Sequence, residues 1–257
     1  MKTILLFDVD GTLTEPRKRI THDMINVLSD LKEKYSNLEI GYVGGSNLCK
    51  QKEQLGEENF DLFDWRFSEN GLEGYYCDKL IHTESFVRVM GETHYSKFIN
   101  ICLYVLSTLE CPVKRGTFIE YRNGMLNISP IGRACSQQER GDFEIYDSEH
   151  NVRSTMISNI QSLWQEYLLT LGDSELPELK FSIGGQISVD VFPVGWDKTY
   201  CLPFLDPDTY STIHFFGDKT HEGGNDYEIY NHPRVSGHKV NNYNETISII
   251  KTMYTKL

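Results

Sequence analysis

Residues 4–8 form an uninterrupted apolar run that ends in an acid, Asp8. Such a run reads as a buried parallel strand that delivers one side chain to its carboxyl end. Behind the cap candidate Thr21, the apolar positions Met24, Val27, Leu28 and Leu31 recur at helical spacing. Residues 38–43 then make a second apolar strand, which runs into Gly44, Gly45 and Ser46. Strand, helix, strand is the crossover unit of a parallel sheet, and the carboxyl edge of such a sheet is where open α/β folds bind ligands.

From about Thr83 the pattern changes. A helical stretch runs through Val87, Phe98, Leu103 and Leu106, and strands follow it. Residues 117–121 and 125–129 flank Asn123-Gly124, and residues 180–183 and 187–192 flank Gly184-Gly185, both of which are hairpin signals. Between the hairpins, residues 152–171 carry apolar side chains at helical spacing. The parallel pattern returns from Trp196, with residues 212–216 as a strand ending in Gly217-Asp218 and a last helix carrying Ile247, Ile250 and Tyr254. The pattern predicts an α/β fold with a discontinuous core at 1–82 and 194–257 and an inserted α+β cap at 83–193.

The chain has 257 residues, 39% of them apolar, which suffices for one large domain or two small ones. Its formal charge of -12 argues against nucleic acid or an anionic membrane surface as partner, because both need basic residues to displace counterions or meet headgroups. An anionic substrate is still compatible, provided arginines and a metal set the local field. Six singly scattered cysteines give no zinc or disulfide framework and read as reduced thiols. The first apolar run is too short for a signal peptide and no stretch approaches membrane-spanning length, so a cytoplasmic protein is expected.

Candidate chemistry begins at Asp8-Val9-Asp10-Gly11-Thr12. Carboxylates at i and i+2 leave a strand on the same side, and Gly11 lets the chain turn tightly toward a ligand. One carboxylate can attack phosphorus while the other shuttles a proton, with a divalent cation offsetting the charge. An acidic turn closing a strand would look the same from the two aspartates alone, but the full FDVDGTLT string is more specific. Ser46 admits two readings, a hydroxyl that holds a phosphoryl group or the N-cap of a helix over residues 47–55.

On the FDVDGTLT string, the VGGS loop, GWDK and FFGDKT, the sequence resembles the haloacid dehalogenase superfamily. The resemblance implies a Rossmann-like core in which Asp8 is nucleophile and metal ligand, and Asp10 is the general acid/base whose backbone carbonyl also meets the metal. It implies that Ser46 holds the transferring phosphoryl group, that Lys198 stabilises the phosphoaspartate, and that Asp218 completes a magnesium site. Asn225 and Asp226 are expected around that site, orienting Asp8 or metal-bound water.

The match narrows to the eukaryotic-type phosphomannomutases over nearly the whole chain, in FDVDGTLTEPR, FSENGL, KRGTFIEYRNGMLNISPIGRACSQQER, FSIGGQISVDVFPVGWDKTYCL and FFGDKTHEGGND. That family's phosphosugar contacts fall on Arg17, Arg122, Arg133 and Arg140, with Ser188 and Asp190 as sugar or ligand contacts. Guanidinium forks suit phosphate because they bind it bidentately and stay charged. The pattern departs at His232 and Val235, where the family often carries an aspartate and a threonine that serve an accessory metal site. The resemblance implies interconversion of mannose 6-phosphate and mannose 1-phosphate, with a hexose 1,6-bisphosphate as activator, supplying GDP-mannose synthesis. It also implies a homodimer formed through the cap. The alternative is a sugar-phosphate phosphatase on the same core.

Overall fold

A computed structural model describes residues 1–172 and 175–254. The chain divides into two units, one made of Met1–Thr83 with the segment from Gly195 onward, the other of Glu84–Val194. In chain order the strands are β1 (Lys2–Phe7), β2 (Leu38–Val43), β3 (Trp65–Ser68), β4 (Glu73–Tyr76), β5 (Lys79–Thr83), β6 (Ile119–Arg122), β7 (Met125–Ile128), β8 (Leu179–Gly184), β9 (Ser188–Pro193), β10 (Tyr210–Gly217) and β11 (Val235–Lys239). The helices are α1 (His22–Lys34), α2 (Leu48–Leu55), α3 (Phe86–Met90), α4 (Glu92–Thr108), α5 (Gln137–His150), α6 (Val152–Leu171), α7 (Tyr227–Tyr230) and α8 (Tyr243–Tyr254).

The first unit is built on a seven-stranded sheet in the order β11-β10-β1-β2-β3-β4-β5. From β11 to β3 every pairing is parallel, while β3, β4 and β5 pair antiparallel. β1 lies between two parallel neighbours, and its residues Ile4 to Phe7 are wholly buried, which is why its sequence shows no alternation. Thr21 caps α1 by accepting the Met24 backbone N–H, and the helix buries Met24, Val27, Leu28 and Leu31 against the sheet.

The second unit carries a four-stranded antiparallel sheet in the order β6-β7-β9-β8. The Asn-Gly hairpin pairs Arg122 with Met125, and the Gly-Gly hairpin pairs Gly184 with Ser188. The helical stretch expected after Thr83 is two helices, because Gly91 takes a φ of +72° between α3 and α4. Leu103 does not join the core; it is 49% exposed on α4. Helix α5 escaped the apolar periodicity because it buries only Phe143 and Asp147. Its capping box, Ser136 with Glu139, sets its start instead. No helix among the described residues is long and apolar enough to cross a membrane.

Candidate active site

Two adjacent parallel strands end together. Asp8 is the residue after β1, and its backbone N–H donates to the Phe216 carbonyl of β10 at 2.9 Å. Asp218 follows β10 directly, so strand register alone sets both carboxylates at one sheet edge. The chain then turns at Gly11, whose φ is +83°. A Cβ there would lie 2.6 Å from Asp218 Oδ2, so the close approach of the two loops requires glycine on steric grounds as well as conformational ones.

Lys198 opens a short 3-10 turn, Lys198–Phe204, whose N-cap is Asp197. Its side chain is fully buried, and its ammonium donates to Asp8 Oδ1 and, at 2.5 Å, to Asp226 Oδ1. The other oxygen of Asp226 accepts the Lys219 backbone N–H at 2.9 Å. Asp226 therefore fixes the loop after β10 and Lys198, and through the shared ammonium it bears on Asp8. Burial pulls the Lys198 ammonium down, but the carboxylates of Asp8 and Asp226 prevail and hold it above its ordinary value. Burial pushes the Asp8 carboxyl up to about 7, against the Lys198 charge and with help from Asp226.

Carboxylate oxygens of Asp8, Asp218 and Asp226 all lie within 4.8 Å of one another. Burial also raises the Asp218 carboxyl, and its Oδ1 is buried without any hydrogen-bond partner. A desolvated, all-oxygen set with an unsatisfied acceptor fits a hard divalent cation. Asp218, whose Oδ1 accepts nothing, has the most ligand capacity to spare, while Asp8 and Asp226 keep lone pairs beyond those taken by Lys198 and the Lys219 N–H.

Asp10 is held differently. Its Oδ1 accepts the Arg17 backbone N–H at 2.7 Å and the Gln54 amide at 2.8 Å. Arg17 reaches it from a left-handed conformation, φ +63°, with its own side chain exposed. Ser46 follows β2, and the N-cap of α2 is Asn47, which accepts the Lys50 N–H at 3.0 Å. The capping reading of Ser46 is thereby corrected: the helix begins one residue later than expected, and its cap makes no use of the Ser46 hydroxyl. Gln51, fully buried on α2, donates to the Ser46 carbonyl at 3.0 Å and accepts from Ser68 at 2.7 Å. Asp8, Asp10, Ser46, Gln54, Lys219 and Asn225 line one pocket. Sequence reasoning passed over Gln51, Gln54 and Lys219; the glutamines' helical spacing on an otherwise polar segment was the only signal they carried.

In the second unit, Arg122, Arg133, Arg140 and Asp190 belong to one network. Arg122 clasps the Glu120 carboxylate through Nε at 3.0 Å and Nη2 at 2.6 Å, and Arg133 Nε reaches the same oxygen at 3.2 Å. Arg140 Nη2 donates to the Arg133 carbonyl at 2.8 Å. Ser188 is buried, and its hydroxyl donates to the Gly184 carbonyl at 3.3 Å. His232 Nδ1 accepts the Arg234 backbone N–H at 3.2 Å, and Val235 begins β11.

Comparison with known proteins covers nearly the whole chain. Residues 24–256 match the family model for eukaryotic phosphomannomutase. A phosphomannomutase of Schizosaccharomyces pombe is 48% identical over 98% of this chain and 95% of its own length. Phosphomannomutase 2 of Dictyostelium discoideum is 51% identical over 99% of this chain and 97% of its own length. In fold, the chain is similar to the trehalose-6-phosphate phosphatase of Aspergillus fumigatus, with a TM-score of 0.64 at 14% identity, covering 100% of this chain and 93% of that one. The fold is thus that of the haloacid dehalogenase-type phosphatases, with a Rossmann-like core, and the chain belongs to the eukaryotic phosphomannomutase family.

Proposed function

We propose that the protein interconverts mannose 6-phosphate and mannose 1-phosphate, with Asp8 as the phosphoryl carrier, and so supplies mannose 1-phosphate for GDP-mannose synthesis. The observation that carries this reading is the contrast between two carboxylates two residues apart. Asp8 is buried against the Lys198 ammonium, while Asp10 is pinned through one oxygen by two neutral N–H donors. The first arrangement suits a nucleophile and the second a proton carrier.

In the first step a carboxylate oxygen of Asp8 attacks a phosphorus of a hexose 1,6-bisphosphate. The bond from phosphorus to the sugar oxygen breaks, and Asp10 gives that oxygen its proton. Mannose 1-phosphate then attacks the phosphoaspartate through its free hydroxyl, as Asp10 takes the hydroxyl proton. The bisphosphate so formed returns its other phosphoryl group to Asp8 and leaves as mannose 6-phosphate. Lys198 holds Asp8 in place throughout, and the Ser46 hydroxyl is available to the transferring phosphoryl oxygens. Asp8, Asp218 and the Asp10 backbone carbonyl would hold magnesium, which when bound neutralises charge between carboxylate and phosphate. Arg122, Arg133 and Arg140 bind the phosphate that is not being transferred, Arg17 is a further phosphosugar contact, and Ser188 and Asp190 contact the sugar. All six cysteines are free thiols, which fits a reducing cytoplasm. The exposed Leu103 and Tyr104 of α4 are apolar surface that a homodimer formed through the cap would cover.

The test is a coupled assay with magnesium and a catalytic amount of glucose 1,6-bisphosphate. Mannose 6-phosphate should form from mannose 1-phosphate much faster than inorganic phosphate is released, and EDTA should stop both. Release of phosphate as fast as mannose 1-phosphate disappears, with no response to the bisphosphate, would make water the acceptor and the protein a phosphatase.

A further inference from the structure

Strand register sets Glu120, Asn127, Asp190 and Ser182 directly opposite one another in a single row across β6, β7, β9 and β8. Residues opposite one another share a face of the sheet. The alternate positions Leu126, Ile128, Val189 and Val191 are wholly buried on the other face. Asn127 sits in the middle of the polar row and is 3% exposed. Its amide is used at both ends: Oδ1 accepts from Arg133 Nη1 at 2.6 Å, and Nδ2 donates to Asp190 Oδ1 at 2.6 Å. These partners leave the amide one orientation, since a flip would set its N–H against a guanidinium and its oxygen against a carboxylate. Arg133 is steered at its Nε as well, by Glu120.

We infer that Asn127 is a positioning residue, which ties the phosphate-binding guanidinium of Arg133 to the sugar-binding carboxylate of Asp190 and sets the two at a fixed separation. The inference rests on the reading of Arg133 and Asp190 as ligand contacts. An aspartate here would pair with Arg133 but oppose Asp190, and a lysine would do the reverse. Only a neutral side chain with an acceptor at one end and a donor at the other satisfies both charges, and in a buried place each unmet group is costly. A phosphosugar then meets a guanidinium and a carboxylate already at their working spacing, so less ordering is left to binding.

The test compares the parent protein with Asn127→Leu, Asn127→Asp, Arg133→Ala and the Asn127→Leu/Arg133→Ala pair, all full length. Each is assayed with mannose 1-phosphate and, as a probe that carries no sugar, with p-nitrophenyl phosphate. Asn127→Leu should raise KM for mannose 1-phosphate about tenfold while kcat changes less than about twofold, the signature of lost binding and not of lost chemistry. Hydrolysis of p-nitrophenyl phosphate should be unchanged, and a circular dichroism spectrum that matches the parent's shows that the second unit is folded. Asn127→Asp, which keeps the side-chain shape, should raise KM as well. In the Arg133→Ala background Asn127→Leu should raise KM by clearly less than it does in the parent, because the link to Arg133 is already lost and only the link to Asp190 is left to break. An unchanged KM in both Asn127 variants, or additive effects in the pair, overturns the positioning role. If Arg133→Ala itself leaves KM unchanged, the reading of Arg133 as a phosphate ligand fails and the inference falls with it.

Discussion

The aspartate proposed as nucleophile is held at an energetic disadvantage that its chemistry makes useful. Because burial raises the Asp8 pKa from 3.8 to about 7, its ionised form opposes folding once the pH exceeds the ordinary value, and does so fully above about 7. Asp8→Asn should therefore abolish turnover and leave the thermal midpoint of the EDTA-treated protein at or above the parent's; a midpoint lower by several degrees, or retained turnover, would contradict this. Lys198→Met should behave oppositely, leaving two buried carboxylates without their cation at a cost of about 3–5 kcal/mol, measurable by urea unfolding. For Asp10, Gln54→Leu removes one of the two N–H donors on its pinned oxygen. We expect kcat to fall about tenfold with KM little changed, and steady-state kinetics will show it. Asp8, Asp10 and Asp218 could be singled out because they follow apolar strands, whereas Lys198, on the short turn after β9, was suggested only by the resemblance. Gln54 was not, since its partner lies 44 residues away and only folding brings them together.

Among the elements, legibility followed how completely each one's burial was written into apolar spacing. β1, β2 and α1 declare themselves, and Asn-Gly and Gly-Gly mark the two hairpins of the second unit. β3, β4 and β5 went unassigned because their segment mixes aromatic and charged residues. Arg66, for instance, is buried within β3 against the rings of Phe60 and Tyr75. Strands β10 and β11 carry a pair that sequence spacing could not reveal, His214 Nδ1 and His238 Nε2, 3.0 Å apart. Burial and the neighbouring ring lower His214 from 6.5 to about 4, and burial lowers His238. A base whose pKa falls on folding gives stability that is present above its ordinary value and is lost as the pH falls through the window between about 6.5 and about 4. His214→Gln should thus lose less stability than the parent between about pH 7.5 and about pH 5, as read from urea midpoints. Equal losses would contradict the assignment.

At the scale of the molecule, an acidic chain that handles sugar phosphates must concentrate cationic charge where phosphate lies. We propose that it does so at two places: at Lys198, buried at the sheet edge, and at Arg122, Arg133 and Arg140, joined through Glu120 and a backbone contact in the second unit. The switch between parallel and antiparallel patterns suggested a divided chain, whereas the wiring of the arginines could not be read, because Arg133 lies on a loop and Arg140 on α5, and only folding brings Arg133 to Glu120 and Arg140 to Arg133. The measurement that bears most directly on the whole account follows the phosphoryl group itself. Glucose 1,6-bisphosphate labelled in its phosphoryl groups is mixed with the magnesium-loaded protein, which is then quenched in acid and digested. Label should appear on the peptide containing Asp8, and a chase with unlabelled mannose 1-phosphate before the quench should move it into hexose bisphosphate and mannose 6-phosphate. Label that never reaches that peptide, or that leaves it only as inorganic phosphate, would contradict the account.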